Sequence, residues 1–201
     1  MNDARAWDSG YRGAPPPWDI GAPQPPVLRI AERGGFRGDV IDAGCGTGEN
    51  TLALAARGLS VLGVDWAPLA IDRAREKAEE RGLAAEFVVG DALALEALGR
   101  SFDSALDCGL FHTFDDVGRG RYVESLARVV RPGGVLHILC FSDREPWDGG
   151  PRRVTQDELR EAFAEGWRVL AIEADRFATL RHAEGAHAWH ATIERSVAAG
   201  A

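Results

Sequence analysis

DVIDAGCGTGEN, residues 39–50, decides the fold. DVIDAG (39–44) reads as a buried strand that carries Asp42 near its end. Gly44, Gly46 and Gly48 follow at alternate positions, and ENTLALAARG (49–58) resumes as a helix. Glycines here let the backbone turn tightly and leave room for a ligand to approach the helix N-terminus. The spacing is G-x-G-x-G rather than the G-x-G-x-x-G of dinucleotide sites.

Outward from this turn, strands and helices alternate. SVLGVD (60–65), AEFVVGD (85–91), FDSALDCG (102–109) and VLHILCFSD (135–143) read as further strands. PLAIDRAREKAEERG (68–82) places Ile71, Ala74 and Ala78 on one side, as a sheet-covering helix does. VLRIAERGG reads as a short helix ending at Gly34, and RGRYVESLARVVR (119–131) as a helix stopped by Pro132, Gly133 and Gly134. TQDELREAF (155–163) opens with a capping box, Thr155 and Glu158. WRVLAIEADRF and AHAWHATIERS have no helix between them and read as an antiparallel pair. The expected fold is α/β: a doubly wound seven-stranded sheet, mostly parallel with an antiparallel C-terminal strand, and helices on both faces.

Asp65 closes the second strand 17 positions after Gly48, where a carboxylate can accept both hydroxyls of a ribose. The third strand ends in Gly90, Asp91 and Ala92, placed to meet an adenine amino group. Acids at three successive strand ends suit a ligand with ribose, adenine and a cationic amino acid moiety better than a diphosphate. That describes S-adenosylmethionine more closely than a nicotinamide cofactor. The plainer reading of each acid is a helix N-cap or loop carboxylate, but their register along one sheet edge favours ligand binding.

Composition narrows the remaining classes. The 201 residues suit one domain, and 45% hydrophobic with 27% charged residues is that of a globular chain. A net charge of -8, with Lys77 the only lysine, disfavours a nucleic acid partner. No apolar run reaches membrane-spanning length, and MNDARAWDSGYRG does not resemble a signal peptide, so a cytoplasmic location is expected. Cys45, Cys108 and Cys140 show no disulfide or zinc spacing, and no metal is expected. Cys45 and Cys108 read as buried small hydrophobes, although a thiol at a helix N-terminus can be activated. Nothing in the sequence indicates oligomeric state.

Residues 1–26 stand apart. Six of the ten prolines lie between Pro15 and Pro26, mixed with Trp7, Tyr11 and Trp18. Proline density argues against regular helix, and the aromatics argue for an extended cover across the domain, residues 27–201, rather than a solvated tail. Candidate acceptor-binding residues are Trp18, Asp19 and Gln24 in the cover, Phe111 and Phe114 after the fourth strand, and Trp147 after the fifth. His112 is the candidate base or hydrogen-bond donor, against a structural role capping the next helix; Asp115 and Asp116 read as that helix's cap and first-turn acid.

VIDAGCGTGEN, GVDWAP, FVVGDAL, FDSALDCGLFH and VVRPGGVLHI resemble, in order, the successive motifs of class I S-adenosylmethionine-dependent methyltransferases. PPPWDIGAPQP and PRRVTQDELREAF are similar to segments of the thiopurine methyltransferase-like branch, which includes halide, thiol and tellurite methyltransferases and enzymes of small heterocycles. The resemblance implies that Asp42, Gly44, Cys45, Gly46 and Gly48 shape the methionine end of the cofactor site. It implies Asp65 at the ribose, Trp66 along the adenine, Asp91 and Ala92 at the adenine edge, and Asp107 to Leu110 closing the site. The expected activity is methyl transfer to a small-molecule nucleophile, a thiol or an aromatic heterocycle. The alternatives are a nicotinamide-dependent oxidoreductase, for which the tyrosine–lysine pair is missing, and a non-catalytic S-adenosylmethionine-binding protein.

Overall fold

The apolar run of the decisive stretch becomes β1 (Asp39–Ala43). In the computed structural model, which describes residues 4–146 and 149–197, β1 is an inner strand of a seven-stranded sheet. Parallel to it run β2 (Ser60–Asp65), β3 (Glu86–Val89), β4 (Phe102–Cys108) and β5 (Val130–Phe141). The chain closes with β6 (Trp167–Thr179) and β7 (His182–Arg195), and β7 lies antiparallel between β5 and β6. The order is β3-β2-β1-β4-β5-β7-β6. Winding proceeds outward from β1 to β3 and then returns to β4 beside β1, so the crevice at the carboxyl ends of β1 and β4 is the topological switch point.

Alternation along each strand divides the apolar residues between two faces. Val40, Leu106 and Leu139 pack with α2 (Pro25–Glu32) and α3 (Glu49–Ala55) through Val27, Ile30 and Leu54. Ile41, Ala105 and Ile138 pack on the opposite face with α5 (Asp116–Val129) and α6 (Gln156–Ala162) through Tyr122, Leu126 and Leu159. Ile71, Ala74 and Ala78 of α4 (Pro68–Arg81) meet Leu52 and Phe87, the stripe expected from their spacing. Thr155 and Glu158 form the reciprocal capping box on α6.

Two local expectations need correction. A helix, α1 (Ala4–Gly10), occupies the N-terminal segment, because the restriction by proline begins only at Pro15. Pro132, Gly133 and Gly134 do not separate α5 from β5: β5 begins at Val130, pairs there with Phe102, and resumes register at Val135 opposite Ser104. Short 3₁₀ segments at Ala92–Leu98 and Phe111–Thr113, unmarked by hydrophobic period, complete the crossovers.

Candidate active site

The glycine turn is held open by its backbone. Gly44, Gly46 and Gly48 all have positive φ. A Cβ on Gly48 would stand 2.8 Å from the Ala74 Cβ and from the Phe87 ring, so this glycine lets α3 start close against α4 and β3. The Asp65 carboxylate spans the turn: Oδ2 accepts the Gly46 N–H at 2.8 Å and Oδ1 the Ala67 N–H at 2.9 Å. Asp91 caps the 3₁₀ segment after β3 by accepting the Leu93 N–H at 2.8 Å. Lys77 ties the same turn to α4, donating to the Thr47 hydroxyl at 2.8 Å and pairing with Glu49 at 2.9 Å.

A cavity of about 270 Å³ runs over the switch point. On the β1–β3 side it is lined by Gly44, Cys45, Gly46, Gly48, Asp65, Trp66, Asp91 and Ala92. On the β4–β6 side it is lined by Leu110, His112, Phe114, Phe141, Phe177 and Thr179, with Tyr11, Trp18 and Asp19 from the N-terminal segment. Two acids of the expected set lie behind this wall. Asp42 is fully buried; the Thr51 hydroxyl donates to its Oδ2 at 2.6 Å, while Oδ1 has no partner. Burial pushes this carboxyl up to about 7, and Asp107 and Asp65 nearby add to the effect. Asp107 holds the turn after β4 together by accepting the Leu110 N–H at 2.8 Å and the Phe111 N–H at 3.0 Å, and it does not reach the cavity.

The acceptor candidates divide in the same way. Trp18 lies over the cavity, 51% exposed, and donates Nε1–H to the Tyr11 hydroxyl at 3.3 Å. Asp19 accepts from the Thr47 hydroxyl at 2.9 Å. Gln24 lines the cavity but has both amide atoms engaged: Nε2 donates to the Ala178 carbonyl at 2.9 Å and Oε1 accepts the Ala178 N–H at 2.8 Å. Its observed contribution is a strap joining the cover to β6. Phe111 points away from the cavity into the core, tilted against Phe163 with the Arg119 guanidinium 4.7 Å from its ring. Trp147 lies outside the described residues. His112, next to Phe111, turns to the cavity side, and its Nδ1 accepts the Phe141 N–H at 2.8 Å. Asp115, not His112, caps α5. Burial first, then Arg119 and Arg153, push the imidazole down to about 3, so it stays neutral at neutral pH.

Tyr11 is the wall residue that motif reading missed. It is buried, and its hydroxyl lies 3.1 Å from the point a Cβ on Gly46 would occupy. The density of aromatics before Pro23 was the available signal. Phe141 and Phe177, each at or near the end of a strand, carried no motif. Burial raises the thiols of Cys45 and Cys108 well above the usual range, which favours small-hydrophobe packing over activated chemistry.

These residues fit S-adenosylmethionine. Side chains at Gly44 and Gly46 would crowd Leu110 and Tyr11, so the glycines leave a cradle. Behind the wall Asp42 keeps Oδ1 unpartnered, so a positive charge at that end of the site would favour its ionised form. Among the described residues no cluster of side chains is arranged to hold a metal ion, and no helix is long and apolar enough to cross a membrane.

The methyltransferase domain family matches residues 40–134. A 2-heptyl-1-hydroxyquinolin-4(1H)-one methyltransferase of Mycobacteroides abscessus is 39% identical over 180 residues, spanning 85% of this chain and 79% of the relative. A structure solved on the conversion of a disulfide bond into a thioacetal group during echinomycin biosynthesis is 39% identical, covers 98% of this chain and 94% of its own, and superposes with a TM-score of 0.88. The fold is shared by magnesium protoporphyrin IX methyltransferase from Synechocystis PCC 6803 with its cofactor bound: 20% identity, 85% and 76% coverage, TM-score 0.67. The chain thus belongs to the class I S-adenosylmethionine-dependent methyltransferases.

Proposed function

We propose that this enzyme methylates a small, planar acceptor at sulfur or at an oxygen or nitrogen of an aromatic heterocycle. The observation that carries the reading is the single cavity that joins the glycine turn and Asp65 to a chamber walled by Phe141, Phe177 and Trp18. Two relatives support it by their chemistry: one acts on a hydroxyquinolinone, and the other is tied to sulfur transformation.

When bound, the cofactor supplies a methyl group on a sulfonium, already activated for displacement. The chain then has to align the acceptor and exclude water. Asp65 would take the ribose hydroxyls, with Asp91 and Ala92 toward the adenine edge and Trp66 beside the adenine. Gly44, Gly46 and Gly48 would let the methionine end approach the start of α3, with the buried Asp42 behind the turn favouring positive charge there. Tyr11 and Asp19 would cover that end, while Trp18, Phe141 and Phe177 would hold the acceptor flat.

The test is release of S-adenosylhomocysteine, followed by mass spectrometry, against iodide, hydrosulfide, an aromatic thiol, a thiopurine and a hydroxylated nitrogen heterocycle. Turnover on the thiols or heterocycles is the expected result. Turnover on iodide alone would remove the planar acceptor, and silence with tight cofactor binding would remove the proposed class.

A further inference from the structure

We propose that His112 binds the acceptor as a neutral hydrogen-bond donor through Nε2, and that the acceptor is an aromatic anion from which the protein removes no proton. This rests on the reading that the aromatic chamber receives the acceptor. A neutral imidazole has one donor nitrogen and one acceptor nitrogen. The Phe141 N–H points at Nδ1 from 2.8 Å, so Nδ1 carries the lone pair and Nε2 the hydrogen. The opposite tautomer, which a base working through Nε2 requires, would set an Nδ1–H against the Phe141 N–H, donor against donor. Among the described residues no protein group is hydrogen-bonded to Nε2, and the ring lines the cavity.

The surroundings favour the same assignment. The ring is packed against Phe141 at 4.7 Å and Phe177 at 6.0 Å between centroids, which fixes its plane. Arg119 from α5 and Arg153 from the segment before α6 are the charges that bear on it, and both are cations. Cys108 at the end of β4 and Arg181 and His182 at the β6–β7 turn line the same cavity, as does Asp19 of the cover, held by the Thr47 hydroxyl, while the acids Glu49, Asp65 and Asp91 line the β1–β3 side. Burial and the two arginines keep the imidazole uncharged down to about 3. Cations behind a neutral donor complement a negative charge in front of it.

The substrate class follows: an aromatic thiolate, or the oxyanion of a hydroxylated heterocycle acidic enough to be ionised at neutral pH. The step balances without a proton. A lone pair on the anionic sulfur or oxygen forms the new bond to the methyl carbon as the carbon–sulfonium bond breaks. The bonding pair stays on the departing sulfur, so anion and cation become a neutral methylated product and a neutral thioether.

Two measurements decide this on the full chain. In nitrogen-15 spectra of histidine-labelled protein, His112 is expected as the Nε2–H tautomer and unchanged from about pH 5 to about pH 9. An Nδ1–H tautomer, or titration near neutrality, would overturn the proposal. In kinetics, His112→Phe removes the donor and is expected to lower kcat/KM by about tenfold or more. His112→Gln keeps a donor, cannot act as a base, and is expected to recover most of that loss. With benzenethiol and 4-nitrobenzenethiol, the midpoint of kcat/KM against pH is expected to follow each thiol's own ionisation. A Gln variant as impaired as Phe, or one midpoint shared by both thiols, would overturn it. Cofactor affinity and thermal melting of both variants separate these outcomes from misfolding. Silence with every ionised aromatic, with cofactor bound, would overturn the substrate class, and the nitrogen spectrum would still decide the tautomer.

Discussion

At the cofactor end, the Gly46 N–H and the Asp65 carboxylate meet within one strand–turn–helix–strand unit, 19 positions apart. At the aromatic end, where we place the acceptor, the Thr179 hydroxyl donates to the Pro17 carbonyl across 162 positions, and the Leu180 N–H shares the same oxygen. One wall is thus made by local backbone geometry, the other by docking of two distant segments. Local geometry tolerates little change because each atom is fixed by the turn itself. A docked wall can be rebuilt by changing side chains on the cover, β5 or β6 without disturbing the sheet.

The largest expected effect attacks the local wall. Gly48→Val requires a side chain at φ +83° that meets Ala74 and Phe87, and should cost about 3 kcal/mol or more. Thermal melting checks this; a variant melting near the parent would mean the turn relaxes far more than its contacts suggest. Next, Asp65→Ala should weaken cofactor binding by roughly ten- to hundredfold, the scale of a charged hydrogen bond, with the sheet intact. Unchanged affinity in calorimetry would remove the ribose assignment.

The pH dependence gives a third, intermediate test. Burial raises the folded Asp42 carboxyl from an ordinary 3.8 to about 7, so the free enzyme holds a proton that the unfolded chain has lost. This group's stability contribution is therefore fully present below its unfolded value and is lost as pH rises through about 7. A cationic amine at the glycine turn in front of it would favour the carboxylate, so cofactor binding near pH 6 should release protons. Calorimetry in buffers of different ionisation enthalpy measures that release, and Asp42→Asn should diminish it, burial raising Asp65 and Asp107 as well. No release in the parent enzyme would place the amine elsewhere.

Smaller effects are expected at the docked wall. Gln24→Leu removes both hydrogen bonds to Ala178 and should raise KM for the acceptor several-fold, with cofactor affinity within a factor of about two. An equal loss at both ends would show that the cover serves the whole cavity and blunt the contrast. The exposed Arg100–Glu86 pair lies away from both walls, and Arg100→Ala should change stability by less than about 1 kcal/mol.

The same contrast explains what could be read from the sequence. Gly44, Gly46, Gly48, Asp65 and Asp91 were legible because strand ends and glycine spacing fix their places in one dimension. Asp107 was read onto the correct strand end, but alternation along β4 turns it inward to the Leu110 and Phe111 amides. Phe111 and His112 are adjacent, and only the 3₁₀ turn decides which one faces the cavity. Gln24 was placed at the chamber without its partner, because nothing near it in sequence announces the Ala178 backbone. Tyr11, Phe141 and Phe177 come to line one cavity only after the sheet has closed. Hydrophobic period assigns such residues to a buried face but does not say which of them will meet.

The belt from Pro17 to Leu180 also sets an order on biosynthesis. A growing chain acquires its glycine turn and Asp65 early, and β4 can join β1 before the last third of the protein exists. The chamber has to wait, because the first cover segment reaches its anchor only when residue 180 has been made. A chain cut short before the final hairpin can therefore carry much of the glycine-turn wall but lacks the anchored wall of the aromatic chamber.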